Sequence, residues 1–154
     1  TRYYDPYVSD APVQGLRRLD SIEELVRTSD VITVHIPMMD SNMGFFDRRL
    51  FSCFKKGSYF VNTSRGEIVD SQALLEFLDK GTIAGAALDV LDGEFDTGFS
   101  HEVSSHPLVE YARTHENLLI TPHIGGSTRD AWFRTQRHVI EMVLKDVCHS
   151  QASR

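Results

Sequence analysis

"SYFVNTSRGEIVDSQALLEFLDKGTIAGAALDV", residues 58–90, decides the fold. SYFVNT (58–63) is an apolar run rich in strand formers. DSQALLEFLDKG (70–81) is the clearest helix of the chain. Asp70 caps it, Leu74, Leu75 and Leu78 form its apolar stripe, and Gly81 ends it. IAGAALDV (83–90) is a second strand, whose small residues let something pack closely. Strand, helix and strand in succession imply a right-handed crossover between two parallel strands.

The pattern extends in both directions. RYYD (2–5) reads as a strand end, and SIEELVRTSD (21–30) as a helix. Ser21 and Glu24 have capping-box spacing there, and Ile22, Leu25 and Val26 supply the buried face. VITVHIP (31–37) is a β-branched strand stopped by Pro37, and FFDRRLFSCF (45–54) has helical spacing. NLLITPH (117–123) is another strand. From about Ser127 to Cys148 a helix carries Ala131, Thr135, Val139 and Met142 on one face. There is no internal repeat. Alternating strands and helices predict an α/β fold with a parallel sheet covered on both faces. In such sheets ligands sit beyond the carboxyl ends of the strands. Asp5, Pro37, Arg65, Asp89 and His123 all fall at or just after predicted strand ends.

Bulk properties narrow the function classes. With 154 residues, 41% of them hydrophobic and 25% charged, the chain is long enough for one domain with a real core. A formal net charge of −6, without a lysine or arginine block, argues against nucleic acid or an anionic membrane as the main partner. No apolar run reaches the roughly 20 residues of a membrane span. Cys53 and Cys148 have no metal-type spacing and read as reduced packing cysteines of a cytoplasmic protein. His101, His106, His115, His138 and His149 show no ligand spacing either, so no metal site is expected. Asp92, Asp96 and Glu102 read as solvated loop charges.

Three local features carry candidate chemistry, each with a plain structural alternative. Asp5 is either the starter of an Asp-Pro turn or an acid placed to bond the ribose hydroxyls of a dinucleotide. In the second role it favours NAD, because a carboxylate repels the extra phosphate of NADP. The glycine loop G-x-G-x-x-G, expected about 20 residues earlier, has no counterpart here. Arg65 is either a solvated loop charge or a bidentate clamp for a carboxylate. His123, in TPHIGGS, is a structural histidine or a proton carrier, and Glu94 is a carboxylate able to fix its tautomer. Gly125 and Gly126 allow backbone to approach a ligand closely.

VNTSRGEIVD (61–70), AGAALDVLDGE (84–94) and LLITPHIGGST (118–128) together resemble, in order and spacing, the signature segments of the D-isomer-specific 2-hydroxyacid dehydrogenases. The HIGGST wording is most similar to the phosphoglycerate dehydrogenase branch. The resemblance implies a partial Rossmann-like doubly wound parallel sheet that lacks the first strand and glycine loop, with residues 1–154 forming an incomplete NAD-binding domain that ends in the helix leading back toward the substrate domain. It implies NAD as cofactor and a small 2-hydroxy or 2-keto acid as substrate. Arg65 then matches the substrate-binding arginine, His123 the acid/base and Glu94 its carboxylate partner. Asp5 matches the ribose-binding acid, His35 and Pro37 the segment beside the adenosine, and Thr63, Ser64 and Arg65 the stretch along the nicotinamide half. Asp89 matches the residue that meets the nicotinamide amide, with His123, Gly125 and Gly126 bordering the same end. A homo-oligomer in the full-length form is also implied.

This chain departs from the family pattern in three places. Phe95 stands where the family has proline after the catalytic glutamate, DTGFSHEVSSHP (96–107) is a long connection, and PMMDSNMG (37–44) lacks the usual threonine. In the family's strand order, 3-2-1-4-5, the first strand is central. Its absence leaves two strand edges without a partner, at about 1–3 kcal/mol per buried unpaired group. The expectation is a chain poorly stable alone, or one completed by sequence from elsewhere. The alternative function is an inert fragment, or an NAD-sensing or partner-binding module on the same fold. A flavodoxin-like phosphate-binding or receiver module also fits the alternation but leaves the three ordered motifs unexplained.

Overall fold

The computed structural model describes residues 1–8 and 14–152, with side chains described as far as residue 145. The chain divides into two units, 1–122 and 123–154. Cys148 lies outside the described side chains, and Cys53 is a half-buried free thiol.

The first unit opens with β1 (Arg2–Tyr3) and β2 (Arg17–Arg18), a short parallel pair in which Arg2 faces Arg17. Helix α1 (Ile22–Thr28) follows, with the Ser21 hydroxyl accepting from the Glu24 N–H at 3.1 Å. Then come β3 (Val31–Val34), α2 (Arg48–Phe51), β4 (Ser58–Asn62), α3 (Ser71–Asp79) and β5 (Ile83–Leu88). Two short helices, α4 (Phe99–Glu102) and α5 (Pro107–Ala112), lead to β6 (Leu118–Ile120).

Strands β3 to β6 form a four-stranded parallel sheet in chain order. Its register is continuous: Val34 faces Asn62, Asn62 faces Leu88, and Leu88 faces Ile120. The next residues, His35, Thr63, Asp89 and Thr121, therefore stand as one row at the carboxyl edge. No ladder among the described residues joins this sheet to the β1–β2 pair. The break falls where the resemblance places the missing first strand, and among the described residues no strand pairs with the open edges of β1 and β3 there.

One face of the large sheet holds the core. Ile32, Val34, Phe60, Leu88 and Leu118 pack with Val26 of α1, Leu50 and Phe51 of α2, Leu74 and Phe77 of α3, and Leu108 of α5. Phe46, Phe51, Phe54 and Phe60 form a cluster of rings with centroids 5.1–6.4 Å apart. The opposite face differs from the expectation of a sheet covered on both sides. Val31, Tyr59 and Leu119 are exposed on it, above the small side of Gly85.

Local signals set the element ends. Asp70 caps α3 by accepting from the Ala73 N–H at 3.0 Å, and Gly81 turns the chain with φ +64°. The helix expected over 45–54 is shorter, because Asp47 caps it by accepting from the Leu50 N–H at 2.7 Å. Phe46 instead bridges to Val69 in parallel fashion. On α3, a hydrogen bond from Lys80 holds the Glu76 carboxyl below its ordinary range, and Arg48 of α2 adds to this.

The second unit carries α6 (Arg129–Ala152). Thr128 caps it, its hydroxyl accepting from the Ala131 N–H at 3.2 Å. Of the face read from sequence, Ala131 is half-buried, whereas Val139 and Met142 are exposed. No helix of the described residues is long and apolar enough to cross a membrane.

Phe60 is completely buried at the centre of the ring cluster. Phe60→Ala is expected to destabilise the first unit by about 3–5 kcal/mol, from lost transfer energy plus the cavity left behind. The urea midpoint, followed by near-UV circular dichroism, checks this; an unchanged midpoint would place the core elsewhere.

Candidate functional site

The carboxyl edge of the sheet is assembled by buried polar side chains that shape the loops. Asn62, 1% exposed, ends β4 and turns its amide into the loop that follows. Its Nδ2 donates to the Arg65 carbonyl at 2.8 Å, and its Oδ1 accepts from the Ser64 N–H at 2.9 Å. A buried amide with both ends satisfied is worth keeping, and its loss leaves two backbone groups unpaired. The Ser64 hydroxyl donates to the Ile36 carbonyl and so ties the end of β4 to the end of β3. Thr63 and Arg65 are left exposed between these anchors. The Arg65 guanidinium donates to the Ser64 carbonyl at 2.7 Å, and no carboxylate among the described residues pairs with it.

Gly66 fixes the next step. A Cβ built on it would lie 2.0 Å from the Leu91 carbonyl carbon and 2.1 Å from the Asp92 nitrogen. The backbone after Arg65 therefore rests directly on the backbone that leads to Glu94. The Gly93 N–H donates to Glu67 Oε1 at 3.3 Å across the same junction. Glu94 is half-buried, and its Oε2 accepts from the Leu91 N–H at 3.4 Å, closing a tight turn on itself. Gly93 makes that turn possible with φ +74°.

Other predicted residues join the same edge. Asp89 is buried at 8% exposure; its Oδ1 accepts from the Thr121 hydroxyl at 2.5 Å. Its N–H donates to the Asn62 carbonyl at 2.9 Å. His35 is exposed, its Nε2 2.6 Å from the Thr33 hydroxyl. The Pro37 carbonyl accepts from Asn42 Nδ2 at 2.8 Å. Asp5 follows the separate β1–β2 pair, and its Oδ1 accepts from the Tyr7 N–H at 2.8 Å, so the turn-starter reading describes its local role.

His123, Gly125 and Gly126 belong to the second unit. His123 is half-buried and adopts φ +51°, the only non-glycine residue among those described with positive φ. A left-handed backbone at a histidine is uncommon and persists where its surroundings hold it.

Sequence reasoning missed several residues of the edge. Asn62 and Thr121 were legible only as strand-end residues. A polar side chain at an inward position of a buried strand is the signal that singles out Asn62. Asp92, read as a solvated charge, has a side chain 44% exposed and also accepts from Ser71 at 2.6 Å and from His106 at 3.1 Å. Among the described residues no cluster of histidine, cysteine and carboxylate side chains is arranged to hold a metal.

Parallel strands, a row of polar residues at their carboxyl ends and an arginine loop bolted to a carboxylate turn define a dinucleotide-binding α/β domain. Residues 1–125 match the model of the D-isomer specific 2-hydroxyacid dehydrogenase NAD-binding domain, and the chain belongs to that family. The family's cofactor is NAD. The chain is 41% identical over 133 residues to a D-lactate dehydrogenase of Treponema pallidum, covering 83% of this chain and 39% of that one. It is 34% identical over 143 residues to the D-3-phosphoglycerate dehydrogenase of Bacillus subtilis, covering 92% of this chain and 25% of that one. It superposes with TM-score 0.75, at 26% identity, on the Aquifex aeolicus D-lactate dehydrogenase crystallised with NAD and lactic acid, covering 96% of this chain and 46% of that one. This chain thus spans less than half the length of these relatives.

Gly66→Ala is expected to be the most damaging single-methyl change at this edge. The added carbon meets backbone rather than a yielding side chain. The variant should lose several kcal/mol of stability, about 1–3 kcal/mol or more for overpacking, or splay the 64–67 and 91–94 loops apart. Amide chemical shifts of Gly93 and Glu94 that match wild type, with an unchanged unfolding midpoint, would refute the contact.

Proposed function

We propose that residues 1–154 are an incomplete NAD-binding domain, ending in the helix that leads back toward a substrate domain. The enzyme it serves interconverts a D-2-hydroxy acid and a 2-keto acid. The observation that carries this reading is the junction of the Arg65 loop with the Glu94 turn through Gly66. It holds a cation and a carboxylate at one edge of the sheet, beside the row of His35, Thr63 and Asp89.

The residues present fit the cofactor in chemical kind. Asp5 accepts from ribose hydroxyls, His35 and Pro37 border the adenosine, and Thr63, Ser64 and Arg65 run along the nicotinamide half. Asp89, buried and already hydrogen-bonded by Thr121, is the acceptor for the nicotinamide amide. His123, Gly125 and Gly126 border the same end. NAD, when bound, supplies the acceptor for the hydride in oxidation and the donor in reduction.

The remaining work belongs to side chains. Arg65 clamps the substrate carboxylate with two N–H groups and polarises the C2 oxygen. His123 takes the C2 hydroxyl proton in oxidation and returns it in reduction. Glu94 accepts from the other imidazole nitrogen, fixing the tautomer and stabilising the imidazolium. The substrate is a small 2-hydroxy or 2-keto acid, and a homo-oligomer is the proposed assembly of the full-length form.

A second reading, an inert fragment or an NAD-sensing or partner-binding module, rests on the break between the β1–β2 pair and the larger sheet. The glycine loop that holds a pyrophosphate belongs in that break.

Calorimetry separates the two readings. Residues 1–154 alone should bind NAD very weakly or not at all. A chain extended through the glycine loop and a substrate domain should bind it and turn over. In that extended chain, His123→Gln should lower kcat by about 10²–10⁴, and Arg65→Ala should act chiefly on carboxylate substrates. A His123→Gln variant with the wild-type rate would overturn the assignment.

A further inference from the structure

Asp92 lies two residues before Glu94, in the turn that begins at Leu91. Two elements reach it from outside the turn. Ser71, the first residue of α3, donates its hydroxyl to Asp92 Oδ1 at 2.6 Å. His106, the residue that caps α5, places Nε2 3.1 Å from the same oxygen. His106 Nδ1 accepts from the Leu108 N–H at 3.2 Å. That bond leaves the proton of the neutral ring on Nε2, so the ring donates to Asp92. The His106 side chain is 9% exposed, and the edge of Phe99 packs on it with centroids 6.2 Å apart. The imidazole thus has one orientation and one tautomer, each fixed by a separate bond.

We propose that His106, acting through Asp92, is a positioning residue that sets the turn carrying Glu94. The claim rests on the reading of Glu94 as the carboxylate partner of the acid/base histidine. The turn is anchored at one end by buried Leu91 and followed by a bond from the Asp96 N–H to the Gly93 carbonyl at 2.9 Å. The two bonds that join Leu91 to Glu94, from the Leu91 N–H to Glu94 Oε2 and from the Glu94 N–H to the Leu91 carbonyl, are both long at 3.4 Å. Holds from other elements reach its polar residues as well. Glu67 grips Gly93 from the β4 side, and Asp92 is gripped from α3 and α5 together. The connection 96–107 starts two residues after Glu94. It folds into α4 and a further helical turn at Val103–Ser105, and delivers His106 back to the turn. Phe95, where the family has a ring-restrained proline, is 72% exposed and gives the turn no such restraint. The His106–Asp92 bond supplies a hold from the far end of the connection.

The test separates capping from positioning. His106→Asn keeps a good helix cap, since asparagine also accepts from the N–H groups of the first turn, but its side chain is too short to hold Asp92. The expected result on residues 1–154 is an unfolding midpoint close to wild type, with the Gly93 amide exchanging about tenfold faster and the Glu94 amide resonance shifted. Asp92→Ala should reproduce the Gly93 and Glu94 changes, and Asp92→Asn, which keeps an acceptor oxygen, should largely restore them. In wild type, imidazole ¹⁵N shifts of the neutral ring should show Nε2 protonated and Nδ1 bare. The opposite tautomer, or Gly93 and Glu94 signals indifferent to both His106→Asn and Asp92→Ala, would overturn the proposal. In an extended, active chain His106→Asn should lower kcat several-fold with little change in KM. If Glu94→Gln left kcat unchanged there, the catalytic reading would fail while the amide results stood.

Discussion

Two backbones touch with no side chain between them at Gly66, and the carboxyl edge of the sheet is organised around that contact. The loop after β4 carries the cation, and the turn after β5 carries the carboxylate. Leu91 and Ile68 anchor the two segments in the core, but the polar residues between those anchors have no apolar contact of their own to set their mutual position. Direct contact between Gly66 and the Leu91–Asp92 peptide removes that freedom, because any side chain at residue 66 would overlap main chain. The bond from Gly93 to Glu67 then sets the register of one loop on the other. Precision at such a site comes from backbone shape, which gives less under load than long side chains do.

The same edge depends on the sheet behind it. Parallel strands in unbroken register bring the four strand ends level, and the buried face supplies the apolar attraction that keeps them so. What is missing is equally physical. A parallel sheet is ordinarily buried on both faces, yet Val31, Tyr59 and Leu119 face outward here. Among the described residues, the edges of β1 and β3 away from β2 and β4 also pair with no strand. An open apolar face and two open edges are the surfaces at which this chain gains most from added structure.

Much of this was legible in the sequence because the signals were local. Ser21 and Asp70 cap helices as their spacing predicts, and β3, β4 and β5 follow their apolar runs to within a few residues. The misses share a cause. The β2 pair Arg17–Arg18 has no apolar residue to mark it as a strand. Helix α5 begins at His-Pro, and its cap is an imidazole nitrogen rather than a hydroxyl or carboxylate. The α2 segment has helical spacing on both sides, but Asp47 starts the helix only after Phe46 has been committed to its bridge with Val69. Asp92 looked like a solvated charge because its partners lie 21 and 14 residues away, and long-range pairing leaves no mark in local pattern.

The three motifs were readable for a further reason, which lies in the two-residue period of the strand. Along β4 the inward residues are Ser58, Phe60 and Asn62, and the alternation continues past the strand's end. Asn62 is buried, Thr63 exposed, Ser64 half-buried and Arg65 exposed. The inward members shape the loop: Asn62 bonds the Ser64 N–H and the Arg65 carbonyl, and Ser64 bonds the Ile36 carbonyl. The outward members, Thr63 and Arg65, are the two that the proposed function assigns to the cofactor and substrate. In VNTSRG, structural and chemical residues therefore alternate in one short run. A substitution at Asn62 would then act on Arg65 through the backbone, by releasing the Ser64 N–H and the Arg65 carbonyl.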